Sequence, residues 1–384
     1  MERLSYFEIF SQIIGHFWPV WIALVVFFIV SYLIRNHTGL YGKLFASPIG
    51  LIGLGIVMFW VFTAIFADVI ITFDPYGQIS GMKNKVPGTP VRGLEGEYYL
   101  LGGDRLARDV FSRVVMGSRS VLTIAPAATM FAFMVGIMLG LVAGYLPGKF
   151  DTMVSFLANL VLAFPVILLF YLMVSPAIQE TGLPTMLAAV MFLFPIAFFA
   201  VLVNSKLYTQ PMKRNIIVGF ILVVGFWIYL GLAFDSDPLG VFSMDPNLLN
   251  VFVSVVFANS PTIFRIVRSL ALEIKTRDYV AAAQTRGEGT WYILLWEILP
   301  NARGPLIVDF CLRIGYTTIL LGTLGFFGLG VSPESPDWGS TINEGRKILT
   351  LYPHGAVPPA LSLMSLVLGL NLLADGLREQ SLKD

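Results

Sequence analysis

Apolar residues in this chain run in long unbroken blocks, and the polar residues gather between them. A helix needs about 17–25 consecutive apolar residues to cross the roughly 30 Å hydrocarbon core of a bilayer. Blocks of that kind lie at 17–34, 48–72, 118–145, 152–174, 184–204, 215–234, 248–264, 306–326 and 356–374, and together they take up half of the chain. Inside lipid every backbone N–H and C=O must be paired within the protein, which only helices and closed barrels achieve. The blocks show no alternation of period two, so helices are selected over strands. The pattern predicts an all-α polytopic membrane protein with about nine spans. Block 248–264 is the weakest of the nine, being short and holding Asn259, Ser260 and Pro261. Block 17–34 starts late, lacks a basic leading region and has no small-residue cleavage site after it, so it reads as a retained span rather than a secretory signal.

Composition agrees. The 384 residues are 56% hydrophobic and 13% charged, where a soluble chain carries roughly 25% charge. That is too little charge to cover the surface of a cytosolic globular enzyme of this length. Of the 25 Lys+Arg and 24 Asp+Glu, only Asp68, Arg119, Asp309 and Arg313 fall inside the blocks. A net charge of +1 gives no reason to expect nucleic acid as a partner. Cys311 is the single cysteine and His16, His37 and His354 are scattered, so neither an internal disulfide nor a Cys/His metal site is expected.

Short loops rich in Lys and Arg face the cytoplasm. Segment 35–47 carries Arg35 and Lys43, 146–151 carries Lys149, and 205–214 carries Lys206, Lys213 and Arg214. Segment 265–305 carries Arg265, Arg268, Lys275, Arg277, Arg286 and Arg303, and the tail carries Arg378 and Lys383. With nine spans and the N-terminus outside, all five fall on one side. Loop 73–117 lies on the other side with six basic residues, which five acidic ones nearly balance. The C-terminus is therefore expected in the cytoplasm.

Segment 265–305 is the most informative polar stretch. Tyr279–Arg286 reads as a short helix with small residues on one face, Gly287 and Gly289 break it, and Thr290–Ile298 reads as a second helix before Pro300 and Pro305. Ala281, Ala282 and Ala283 favour helix and carry almost no side chain, so a partner can approach the backbone closely. On pattern alone this is equally a surface hairpin linking two spans.

The pattern A-A-x-x-x-G followed by I-L-P-N, which opens at Ile298, resembles the EAA loop of permeases in binding-protein-dependent ABC importers, with Ala282, Ala283, Gly287, Leu299 and Pro300 at its fixed positions. Ala281 stands where that motif usually has a glutamate. Leu101–Leu122 is similar to a signature of the dipeptide/oligopeptide/nickel permeases, specifically their C-type subunit. Phe327–Val331, Pro336–Ser340 and Asn371–Arg378 match the same pattern in the expected order. The resemblance covers about 41–174 and 248–380. It implies a type I ABC importer permease core of six spans in which the loop through 279–300 forms a coupling helix seated on an ATPase. The partners implied are a homologous second permease subunit, two ATP-binding subunits that hold ATP and Mg, an extracytoplasmic solute-binding protein and membrane lipid. The location implied is a bacterial or archaeal cytoplasmic membrane, and no cofactor is expected in this chain.

Against that core the chain adds a span within 1–47 and a two-span hairpin within 175–247, leaving 48–174 and 248–384 as the two parts of the core. Such additions are expected at the lipid-facing periphery. Leu321 sits where many relatives have a glutamate, so no role is carried over to it. Within the Leu101–Leu122 signature, Asp104/Arg108 and Asp109/Arg113 are spaced i,i+4 and read as pairs on a helix lying at the outer membrane surface, with direct substrate contact as the alternative. Asp309 and Arg313 share that spacing inside a span and read first as a structural ion pair, with pathway lining as the alternative. No G-x-x-x-x-G-K-[ST] loop, H-E-x-x-H or G-x-S-x-G occurs, so no catalytic residue is assigned. The reading is a transport subunit that borrows its energy, with peptides as the first cargo and oligosaccharides, opines or nickel as alternatives. An ion-coupled secondary transporter is the rival of another class, although the spans offer few ionisable residues for it.

Overall fold

The computed structural model describes residues 2–329 and 334–381. Among the described residues eight helices are long and apolar enough to cross a membrane, and a bent helix pair makes a ninth candidate. The chain divides into two compact units, one of residues 1–126 with 311–384 and the other of residues 127–310.

In the first unit the helix Pro48–Ile65 lies along Val357–Ser381. Glycines set this close approach. A Cβ on Gly53 would stand 2.7 Å from the Leu372 carbonyl carbon and 2.8 Å from the Gly369 oxygen. Small residues that admit neighbouring backbones are the usual basis of helix association in lipid, where apolar side chains gain little by leaving the solvent. Ser47 caps the first helix by accepting from the Gly50 N–H at 3.3 Å, with Pro48 just inside it. The helix Trp18–Ile34 packs on Pro48–Ile65 through aromatic pairs, Trp21–Phe59 and Phe27–Phe62 among them. Short strands Thr89–Pro90 and Tyr98–Tyr99 pair in antiparallel fashion within the long polar loop.

In the second unit the best-buried span is Pro246–Ile274, with 78% of its apolar window inside the protein. This is the block that looked weakest, and it runs straight through Pro261 and ten residues past position 264. Its polar side chains turn back onto the helix: Asn259 Nδ2 donates to the Val255 carbonyl at 3.1 Å and Ser254 Oγ to the Asn250 carbonyl at 2.6 Å. Beyond 264 the charged side chains find partners on Lys149–Leu162, Arg265 with Asn159 and Arg268 with Asp151. Local composition could not register either effect.

The same span packs on the C-terminal half of Val110–Tyr145 along a stripe of Gly136, Gly140 and Gly144, whose missing side chains are replaced by Ile263, Phe264, Val267 and Ala271. A Cβ on Gly140 would meet Val267 Cβ at 2.7 Å and the Phe264 oxygen at 2.9 Å. Gly140→Leu is therefore expected to force the two helices apart and destabilise the protein by about 1–3 kcal/mol, the usual range for overpacking. Thermal unfolding in detergent checks it, and an unchanged midpoint would contradict the packing described.

The block 152–174 is not a straight span. Lys149–Leu162 and Val166–Val174 meet at 87° around Ala163, Phe164 and Pro165. Pro165 has no N–H to continue the ladder and disfavours helix in the residue before it. The three runs set outside the six-span core are the least buried of the eight candidate spans: 17% for Trp18–His37, 17% for Leu183–Lys206 and 11% for Pro211–Phe234.

Candidate functional site

The polar segment that follows Ile274 folds within the second unit as two short helices joined by a tight turn. Arg277 has extended backbone, and Asp278–Thr285 then begins with an acidic residue in its first turn, where the helix dipole favours negative charge. Gly287 ends it at φ +78°, a conformation that side chains rarely adopt. The chain resumes helix at Thr290, widens to a π-helical turn over Ile293–Ile298 and closes at Leu299–Asn301. π-Turns are rare and gather at functional sites.

Burial sorts the residues singled out from the sequence. Val280, Ala283, Ile293, Leu294, Leu295 and Ile298 form the inner face, each at most 2% exposed. Ala281, Ala282, Gly287 and Pro300 are exposed, and Leu299 is half-buried. The motif thus supplies both an apolar underside that holds the hairpin and an exposed face on which Ala281, Ala282 and Gly287 leave the backbone open among Asp278, Tyr279, Gln284 and Arg286. Arg286 reaches across the turn to Glu297 at 3.0 Å and locks the two short helices together. Two further ties fix the hairpin to the end of Val110–Tyr145. Gln284 Nε2 donates to Tyr145 Oη at 2.9 Å, and Lys275 Nζ donates to the Gly144 carbonyl at 3.1 Å. Neither Tyr145 nor Gly144 was singled out from the sequence, because more than 130 residues separate them from their partners. The G-x-x-x-G-x-x-x-G spacing at 136–144 was the available signal.

The first unit holds a second polar cluster around the Leu101–Leu122 signature. Here the surface-helix expectation is corrected. Residues 101–109 form irregular turns closed by a bridge between Gly103 and Asp109, and helix begins only at Val110. Asp104 and Arg108 do pair, at 2.7 Å, and Arg108 also pairs with Glu344. Asp109 and Arg113 part company. Asp109 accepts from the Ser112 N–H at 2.9 Å and from Thr72 Oγ1 at 3.0 Å, so it caps the helix. Arg113 is fully buried and donates to the Ser335 carbonyl at 2.9 Å, the Pro75 carbonyl at 3.3 Å and Thr341 Oγ1 at 3.2 Å. Its Nε lies 4.0 Å from Asp104. The i,i+4 argument assumed a helix that glycines at 102 and 103 do not continue, and it could not see partners from distant segments.

Trp338 is fully buried against this cluster and donates through Nε1 to the Val114 carbonyl at 2.8 Å. Pro336–Ser340 of the signature is placed here, whereas Gly330 and Val331 of the neighbouring signature, like Lys383 of the tail, lie outside the described residues. Asp68 and Arg119 form a two-armed pair at 2.9 and 2.8 Å. Asp309 and Arg313 fall one turn apart on Arg303–Phe326, with Arg313 buried and Asp309 half-buried.

Burial raises the carboxyls of Asp109 and Asp337 above the ordinary range, against hydrogen bonds that lower them. His354 moves the other way. Burial lowers it, and the Gly103 and Lys85 carbonyls only partly offset this. A histidine kept neutral in the fold, with an unfolded value near 6.5, stabilises above that pH and loses its contribution as acid protonates the unfolded chain. Between pH 7.5 and pH 5.5 the wild-type melting temperature is therefore expected to fall further than that of His354→Asn. Equal falls in the two proteins would show that His354 does not titrate in this way.

Among the described residues no group of three or more His, Cys, Asp or Glu side chains is placed to hold a metal ion. Residues 215–381 match a family described as binding-protein-dependent transport system inner membrane component. A glutathione transport system permease of Pectobacterium atrosepticum is 30% identical over 279 residues, covering 73% of this chain and 70% of that one. A dipeptide transport system permease of Alkalihalophilus pseudofirmus is 26% identical over 333 residues, covering 87% and 85%. A di/tripeptide transport system permease of Pseudomonas aeruginosa is 27% identical over 329 residues, covering 85% of each chain.

Proposed function

Because the chain belongs to the family of binding-protein-dependent transport permeases, as a C-type subunit of the dipeptide/oligopeptide class, we propose that it forms half of a peptide pathway driven by an ATPase docked on residues 278–301. The observation that carries this reading is the hairpin itself. Its inner face is apolar and buried, its outer face presents Ala281, Ala282 and Gly287, and it is tied to the end of a long span at Gly144 and Tyr145. A groove can approach the backbone closely at those three small residues, and the hairpin's ties pass a push on to the span.

In this reading two ATP-binding subunits hold ATP and Mg, a homologous second permease completes the pathway, and an extracytoplasmic binding protein delivers the peptide. The hairpin and the C-terminus face the cytoplasm of a bacterial or archaeal cell. Asp309 and Arg313 act as a structural ion pair within the bundle. No step of chemistry falls to this chain.

Reconstitution tests the reading. Proteoliposomes holding this chain, its partner permease and the ATPases, with binding protein and labelled dipeptide outside, should accumulate peptide only when ATP is enclosed. Uptake that persists without the ATPase subunits would overturn the proposal.

A further inference from the structure

The hairpin of Leu183–Lys206 and Pro211–Phe234 ends against the segment just described, and both belong to the same unit. Ser205, in the last turn of its first helix, is buried. Its hydroxyl donates to the Leu202 carbonyl at 3.0 Å and accepts the indole N–H of Trp296 at 3.0 Å. The next residue, Lys206, sets its ammonium 4.6 Å above the face of the same ring. The indole is thus held at once by its edge and by its face. A ring gripped in two directions cannot slide or turn without breaking a hydrogen bond or a cation–π contact.

Trp296 sits inside the π-helical turn, between the buried Leu294, Leu295 and Ile298 and the residue Glu297. Glu297 carries the ion pair to Arg286, one residue before Gly287. A continuous line of contacts therefore runs from the membrane hairpin through Trp296, Glu297 and Arg286 to the exposed face at Ala281, Ala282 and Gly287.

We propose that the hairpin 183–234 is a positioning clamp for the ATPase-docking segment, with Ser205, Lys206 and Trp296 as the residues that set its orientation. The proposal rests on the docking reading given above. A span pair that packed only against lipid would have no use for a two-sided grip on one side chain of that segment. The clamp restrains the π-turn, so that closure of the ATPases moves the long spans rather than merely rocking the hairpin on its own stem.

The test measures peptide imported per ATP hydrolysed in proteoliposomes containing the full complex. Ser205→Ala removes the acceptor, Trp296→Phe removes the donor and keeps a ring, and Lys206→Met removes the charge at an exposed position where folding is not at stake. Each is expected to lower the ratio severalfold while ATP hydrolysis continues, and Ser205→Thr is expected to restore it. A purely structural role would lower import and hydrolysis together and leave the ratio unchanged, which would overturn the clamp. Gly287→Trp is measured in parallel. If it abolishes uptake while the three clamp variants keep the wild-type ratio, the clamp alone falls. If Gly287→Trp leaves uptake intact, the docking reading falls and the clamp with it. Should Ser205→Ala or Trp296→Phe fail to assemble, Lys206→Met decides.

Discussion

Replacing Gly287 with tryptophan is expected to reduce ATP-driven uptake at least tenfold while the protein still folds. The two halves of that expectation have separate causes. Gly287 is exposed, and a Cβ built on it meets nothing within 4 Å in this chain, so a side chain there does not collide with the fold. Its φ of +78° penalises any residue but glycine, by about 1–2 kcal/mol for a left-handed conformation. That is a modest charge against the stability of a protein of this size. The exposed face of the hairpin is another matter, because Ala281 and Ala282 leave the backbone open there and a bulky ring would stand where the proposed ATPase contact lies. Gly287→Ala separates the causes. It carries the backbone penalty with almost no bulk and should keep most of the uptake. Transport in proteoliposomes, with size-exclusion chromatography to confirm assembly, makes the measurement. Normal uptake by a well-assembled Gly287→Trp complex would remove the docking role from this turn.

The second large effect is on folding. Arg113→Met is expected to destabilise the first unit by about 3–5 kcal/mol, the range for taking one partner out of a buried charged network. The guanidinium is fully buried and serves carbonyls of Pro75 and Ser335 and the hydroxyl of Thr341, with Asp104 nearby. Methionine fills much of the volume and satisfies none of those acceptors. Arg113→Lys should fall between the two, because an ammonium keeps the charge but cannot reach several carbonyls with a planar fork. Thermal unfolding in detergent, followed by tryptophan fluorescence, reports the change. A midpoint within about 1 °C of wild type would mean that the network is dispensable.

The misreadings come from one source. Lipid solvation acts on each residue separately, so a run of apolar side chains is legible wherever it occurs, and the span positions followed from it. Block 248–264 was undervalued because it looked short and held Asn259, Ser260 and Pro261, although Ser254, Asn259 and Ser260 donate to carbonyls of their own helix and Arg265 and Arg268 find partners on Lys149–Leu162. Asp109 and Arg113 were paired with each other because i,i+4 spacing is the only neighbour relation that a sequence displays. Their actual partners lie at Thr72 and Ser112, and at Pro75, Ser335 and Thr341. In segment 278–301 the helix–turn–helix was legible from Gly287 and Gly289, which break helix by their own backbone chemistry. Which alanine faces outward was not legible, since Ala281, Ala282 and Ala283 are alike in the sequence and only packing buries the third.

By itself, then, the amino-acid sequence determined the solvent, the helical class, nearly every span and the breaks of the hairpin at 278–301, because each depends on hydropathy, backbone freedom or a local string of residues. Tertiary structure alone decided which charges are paired, which span lies deepest, which face of the hairpin is free and that Trp296 is gripped by Ser205 and Lys206. Those depend on distances between residues far apart in the chain, and a distance of that kind exists only once the helices have packed.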